Sequence, residues 1–169
     1  MQVPIILIGH SMGGLVSKQA YIIGRNNPQN FASITLAIKG MLFLATPHAG
    51  SSHSKTLNKI LGMVPSKGCQ QYVRNLDISS VTIRTMDELF RGAMEGIMLA
   101  SLYEVFPLKI APLYSKMIVE KHHAILGVLD EIVRPMDANH RTICKFSSKQ
   151  DPNYIALKNL CGSFRNTTF

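Results

Sequence analysis

Gly9-His10-Ser11-Met12-Gly13 sets a serine between two glycines, with a single residue separating it from each. The spacing G-x-S-x-G is that of a strand-to-helix elbow, which lifts a serine hydroxyl out of a sheet for nucleophilic attack. Bare, the pattern arises by chance in roughly one chain in twenty of this length, so its surroundings decide. Here the continuous apolar run Val3-Pro4-Ile5-Ile6-Leu7-Ile8 precedes it. A helical pattern over 12–25 follows, with Leu15, Val16, Ala20 and Ile23 at helical spacing. Strand, turn and helix are the context an elbow needs. Ser11 would occupy a strained turn, and a Cβ at position 9 or 13 is expected to collide with the adjoining strand or helix. The helix behind it turns a positive dipole end toward the hydroxyl, and the backbone N–H of Met12 can donate to an oxyanion. The plainer alternative is a glycine-rich turn whose serine caps the helix.

An isolated hydroxyl is a poor nucleophile, so a base and an orienting acid must follow. In an elbow of this kind they come in the order serine, acid, histidine. Six histidines are available: His10, His48, His53, His122, His123 and His140. His10, inside the elbow, cannot turn back onto Ser11 and reads as packing or a pocket wall. His48 ends a second apolar run, as a turn stabiliser or a substrate contact. His53 lies in a polar stretch, and His122-His123 show no ligand-like partner spacing. His140 alone comes late, in the loop Met136-Asp137-Ala138-Asn139-His140 after a strand, where the base belongs. The acid should close the strand before that loop. Glu104 closes the run 97–103 and fits; Glu120 closes 117–119 and is its rival, while Asp130, Glu131 and Asp137 read as turn residues. A carboxylate there would hold the imidazole tautomer and stabilise the imidazolium without taking the proton.

The elements that must position these groups read as alternating strand and helix. Gly40-Met41-Leu42-Phe43-Leu44-Ala45 is a second buried strand, ending in Thr46-Pro47-His48-Ala49-Gly50, so 3–45 is a βαβ unit. Asn26-Asn27-Pro28 ends the first helix. The stretch 51–93 is polar and basic, with helix-like patches at 55–61 and 86–93, and reads as a lid-like insertion. Its Lys55, Lys59 and Lys67 suit a solvated face or anionic headgroups. The core resumes with 97–104 as a strand, and 116–120 and 131–136 look like further extended pieces. A last helix falls within 151–162, over 154–161, closed by Gly162. The expected organisation is one domain, with core 1–50 and 94–146, the insertion 51–93 and the terminal helix.

Composition narrows the function. With 46% apolar and 17% charged residues, the 169-residue chain has material for one real core and is not a disordered protein. The charge of +8 is scattered, with no block of five or six basic residues, which argues against nucleic acid and allows weak attraction to an anionic membrane surface. Three cysteines at wide spacing (Cys69, Cys144, Cys161) suit a reducing, cytoplasmic setting rather than a disulfide framework or zinc site. No apolar run reaches membrane-spanning length and no signal peptide opens the chain. Gly13-Gly14 lacks phosphate-loop spacing, and neither cofactor nor metal is expected.

Taken together, these blocks resemble a known family. The run Pro4-Ile5-Ile6-Leu7-Ile8-Gly9-His10-Ser11-Met12-Gly13-Gly14-Leu15-Val16-Ser17-Lys18-Gln19-Ala20 resembles the elbow of the lipase-like α/β-hydrolases of the serine-active-site-containing family. Thr46-Pro47-His48-Ala49-Gly50-Ser51, Ser101-Leu102-Tyr103-Glu104 and Asp137-Ala138-Asn139-His140-Arg141-Thr142-Ile143-Cys144-Lys145-Phe146 look like its later blocks, in the same order. The tail Asp151-Pro152-Asn153-Tyr154 is similar to the version that fungi place at the N-terminus of NACHT-type receptor proteins. The resemblance implies a serine hydrolase of esters, lipids among them, with Ser11 as nucleophile, His140 as base and Glu104 as acid. In that family the elbow follows the fifth strand of an eight-stranded sheet, whereas here it begins at Gly9. Strands one to four are therefore expected to be missing, with the loop that gives the second oxyanion N–H. One such donor is worth on the order of 2.7–4 kcal/mol. The expected fold is α/β, the C-terminal half of an α/β-hydrolase, with a mostly parallel sheet flanked by helices. Its strand 3–8 should be an apolar edge open to self-association. The alternative function is a non-catalytic hydrolase-like module of a larger signalling receptor.

Overall fold

The computed structural model describes residues 3–48, 56, 60 and 80–166. Most of the expected lid-like insertion, with His53, Cys69, Lys55, Lys59 and Lys67, lies outside the described residues.

Strand β1 (Ile5–His10) turns at Ser11 into helix α1 (Met12–Asn26), followed by α2 (Pro28–Ala37) and β2 (Ile38–Leu44). After α3 (Ser80–Ala93) come β3 (Met98–Glu104), the short strands β4 (Leu108–Ala111) and β5 (Tyr114–Lys116), and the single turn α4 (Lys121–Ala124). Strand β6 (Ile132–Met136) and helix α5 (Pro152–Asn166) complete the described chain. The main sheet has the order β1-β2-β3-β6, and every neighbouring pair in it is parallel. This is the α/β architecture expected, a parallel sheet of four strands with flanking helices.

The sheet is covered on both faces, and alternation along β2 divides the core between them. Leu42 and Leu44 face a cluster with Ala100, Leu102, Met136, Ile143 and Phe164. Met41 and Phe43 face the other, with Tyr21, Ile22, Phe90 and Leu99. Strand β2 is central and buried almost throughout. Strand β1 is the sheet edge and only partly covered, with Ile8 48% exposed.

Helix α3, within the stretch expected as an insertion, packs on α1 and buries Ile83 and Phe90. An ion pair joins the two helices. Lys18, with a side chain 0% exposed, places Nζ 2.6 Å from Asp87 Oδ1. The ammonium also lies over the rings of Phe43 and Phe90, 5.6 and 5.2 Å from their centroids. Arg91 Nε donates to Asp87 Oδ2 at 3.1 Å, and the Arg91 guanidinium also donates to Leu126 O. Burial pulls Lys18 down to about 8 against the opposing attraction of Asp87.

Three expectations change. Pro28 does not only end a helix; it is at the first turn of a second, α2, where its missing N–H costs nothing. That helix escaped the apolar pattern because Phe31, Ile34 and Leu36 point outward, with only Thr35 and Ala37 buried. The piece 116–120 is not a strand: β5 ends at Lys116 after pairing antiparallel with β4, and 117–120 is irregular. Gly162 does not close the last helix, which continues to Asn166 because Phe164, 0% exposed, is drawn against the sheet. Gly40 makes that approach possible, since a Cβ there would meet the Phe164 ring.

Candidate functional site

The turn between β1 and α1 carries the elbow geometry. Ser11 has φ 53° and ψ −124°, a conformation that costs a non-glycine residue on the order of 1–3 kcal/mol and persists only when its surroundings enforce it. The Ser11 N–H donates to Leu44 O at 2.8 Å, which fixes the turn to the end of β2. The serine makes no side-chain capping bond to α1. Its Oγ instead lies 3.0 Å from His140 Nε2. The capping alternative is thereby excluded.

The glycine requirements differ from those expected. A Cβ at Gly9 would lie 2.5 Å from the Gly14 Cα and 2.6 Å from its N, both backbone atoms that cannot swing aside. At Gly13 a Cβ would meet nothing within 4 Å, so the expected collision there does not occur. The second close approach is at Gly14, where a Cβ would overlap the Thr46 side chain. Gly9→Ala should therefore cost about 1–3 kcal/mol in urea unfolding, the usual range for overpacking. Gly13→Ala should stay within about 0.5 kcal/mol of the native chain or gain slightly from helix propensity. Equal losses from the two substitutions would contradict this account of the turn.

His140 reaches Ser11 from the loop after β6, and that loop is tightly held. Asn139 Oδ1 accepts from the N–H of Arg141 (3.0 Å) and Thr142 (3.2 Å), while Thr142 Oγ1 accepts from the Asn139 N–H at 3.1 Å. This reciprocal cap bends the chain sharply around His140. Ala138 O accepts from the N–H groups of Val105 and Phe106, tying the loop to the chain just beyond β3. Ile143 anchors it in the core, fully buried.

On its other side His140 Nδ1 stands 2.8 Å from Glu104 Oε2. Both side chains are buried, at 3% and 0% exposure. A carboxylate so enclosed needs partners for its remaining lone pairs. Glu104 Oε1 accepts from the backbone N–H of Ile118 (2.8 Å) and Val119 (3.1 Å). The irregular stretch after β5 thus serves as a backbone cradle for Glu104. Glu120, the rival acid, is exposed and stands beside His122 at 3.8 Å. Of the two carboxylates, Glu104 reaches the imidazole. A hydroxyl, an imidazole and a carboxylate joined in this order can pass the hydroxyl proton to the ring while the carboxylate steadies the resulting charge.

His10 does more than pack. Its Nε2 lies 2.9 Å from His140 O, with ring centroids 5.1 Å apart. Burial, helped by the neighbouring His140, holds its pKa below the usual histidine range, so a neutral Nε2–H donor to that carbonyl is favoured. The residue before the serine therefore ties the His140 backbone to the end of β1. Its position within the elbow signalled proximity, but nothing in the sequence names a backbone partner 130 residues away. His48 is fully buried, stacked edge-on to Phe43 at 4.6 Å and 3.5 Å from Ser101 Oγ, with its N–H donating to His123 O.

Comparison with known proteins follows the same outline. The chain is 30% identical to Protein SERAC1 of Danio rerio over 151 residues, 86% of this chain and 22% of that protein. To Protein SERAC1 of Homo sapiens it is 28% identical over 149 residues, again 86% and 22%. The chain thus spans about a fifth of the length of these curated relatives. Residues 2–132 match the model of the PGAP1-like alpha/beta domain. A match over that much of the chain, on a parallel sheet with this elbow, shows that the chain belongs to the PGAP1-like alpha/beta domain family.

Proposed function

We propose that this domain is a serine hydrolase of carboxylic esters, lipid esters among them. The observation that carries the reading is the buried hydrogen-bond chain Ser11 Oγ–His140 Nε2–Glu104, 3.0 and 2.8 Å, at a strained elbow. Ser11 Oγ attacks the acyl carbonyl while His140 Nε2 takes its proton. The tetrahedral intermediate collapses as the imidazolium returns that proton to the departing alkoxide, leaving an acyl ester on Ser11. Water, deprotonated by His140, then attacks the acyl carbon and releases the carboxylic acid. Met12, first residue of α1, offers an N–H without an i−4 helical partner to the oxyanion, backed by the positive end of the helix. Membership of the PGAP1-like alpha/beta domain family supports a hydrolase reading.

An acyl-enzyme route predicts burst kinetics. Mixing the chain with p-nitrophenyl butyrate should release one equivalent of p-nitrophenolate per protein before the slower steady rate. A folded chain that releases no more than buffer would remove the proposal.

The partners that fit are an ester or lipid substrate, an anionic membrane surface drawn by the charge of +8, and a second strand along the half-covered β1 edge. A reducing, cytoplasmic setting fits the free thiols Cys144 and Cys161. No helix among the described residues is long and apolar enough to cross a membrane. One observation favours a second reading, a non-catalytic module: the curated relatives are far longer than the matched part, at 22% coverage. The burst experiment separates the two.

A further inference from the structure

Glu120, His122 and His123 take no part in the hydrogen-bond chain of Ser11, His140 and Glu104. Their order in the sequence, E-x-H-H, shows no familiar ligand spacing, yet the single turn of α4 draws them together. One ligand atom from each lies within 4.8 Å of the others. We propose that these three side chains form a binding site for a divalent transition-metal ion, Zn²⁺ by its ligand chemistry, with water completing the coordination.

The backbone beneath the cluster is fixed. Glu120 O accepts from the N–H of His123 at 2.9 Å and of Ala124 at 3.1 Å, and His123 O accepts from the His48 N–H at 2.8 Å. His123 is 8% exposed, so packing sets one ligand in place. The side chains of His122 and Glu120 are 68% and 53% exposed, free to turn toward an ion arriving from solvent. His122 Nδ1 and Glu120 Oε2 stand 3.8 Å apart. That is too far for a hydrogen bond, but ligands about 2.0–2.2 Å from a tetrahedral zinc lie roughly 3.3–3.6 Å from one another. A small rotation of either exposed side chain closes the difference. The His122 and His123 ring centroids lie 3.9 Å apart at a tilt of 49°, so the two imidazoles sit side by side. Lys121, between them in sequence, has its ammonium over the Tyr103 ring, 4.9 Å from the centroid.

The donor set selects the ion. Two imidazoles and one carboxylate suit zinc and its neighbours, whereas Ca²⁺ and Mg²⁺ prefer oxygen ligands. The location gives binding a structural consequence. Ile118 and Val119, whose N–H groups hold Glu104, immediately precede Glu120. An ion joining 120, 122 and 123 would stiffen the segment that cradles Glu104. Metal binding at this turn can be read without any activity, and so independently of the proposed chemistry at Ser11.

Titration calorimetry of the 169-residue chain with ZnCl₂ near pH 7.5 tests it, alongside thermal unfolding with and without zinc. The native chain should bind one equivalent and unfold at higher temperature with zinc, while Mg²⁺ at the same concentration should change nothing. Glu120→Gln and His122→Gln alter exposed side chains, so each zinc-free variant should melt as the native chain does. Each should bind zinc at least about tenfold more weakly, a loss of about 1.4 kcal/mol. Native affinity in both variants would put the ion elsewhere and overturn the proposal. So would an absence of binding up to about 1 mM zinc.

Discussion

Glu104→Gln should lower the rate of ester hydrolysis by about 10⁴ while leaving the protein folded. The isosteric amide keeps an oxygen for the two N–H donors of Ile118 and Val119, so the cradle survives. What changes is the atom facing His140 Nδ1, now 2.8 Å from Oε2. An amide N–H₂ there cannot accept from Nδ1–H. The ring is driven to the tautomer with its proton on Nε2, the nitrogen that must receive the Ser11 proton. The corresponding acid-to-amide change in serine proteases costs about 10⁴ in kcat with the geometry intact. Glu104→Ala, in contrast, should also destabilise, because it leaves two buried N–H groups and the imidazole without their acceptor. A Glu104→Gln protein with native unfolding and near-native turnover would show that Glu104 only braces the loop.

The largest expected effect on stability belongs to Asp87. Asp87→Ala leaves the Lys18 ammonium in a fully buried site between Phe43 and Phe90 with no counterion. Removing one member of a buried pair costs about 3–5 kcal/mol. A ceiling comes from the alternative open to the lysine, which is to lose its proton on folding. From an ordinary value near 10.5, that costs about 1.36 kcal/mol for each of roughly 3.5 pH units at pH 7, near 5 kcal/mol. Against a total stability of about 5–15 kcal/mol, the variant should be marginal at room temperature in urea titration. Lys18→Met with Asp87→Leu should restore most of the loss, because the desolvation penalty disappears with both charges. The sign of the pH dependence also follows. Folding lowers Lys18 from 10.5 to about 8, so between these values the unfolded chain binds more protons and this group's contribution to stability rises with pH. The double variant should lose that rise.

The parts of the site that were legible in the sequence were those governed by local geometry and chain order. Ser11 was marked by the glycines and by the strand and helix around it. His140 and Glu104 were marked by where they follow strands, at the ends of β6 and β3. The cradle of Glu104 was not legible, because it is made of backbone N–H groups, which every sequence possesses. It fell on the stretch whose apolar residues, Met117-Ile118-Val119, had suggested a strand. The loop around His140 did carry a signal, the reciprocal Asn139 and Thr142 cap, which becomes meaningful once the strand before it is known. Helix α2 escaped because its apolar side chains face outward and leave no buried stripe to read. The glycine assignment holds at Gly9 and fails at Gly13, for a related reason. Which glycine must lack a Cβ depends on how closely Thr46 and the Gly14 backbone approach, and that is a tertiary fact. Glu120, His122 and His123 met through a single helical turn that no periodicity could announce.

The measurement that bears most directly on the central claim is labelling by a fluorophosphonate probe, followed by mass spectrometry of the peptide ending at Lys18. Such a probe bonds only to a serine whose hydroxyl a neighbouring base has activated. The proposed role of Ser11 predicts one adduct, on Ser11, absent in Ser11→Ala and strongly slowed in His140→Ala. A folded native chain that stays unlabelled, or an adduct on another residue that survives Ser11→Ala, would contradict it.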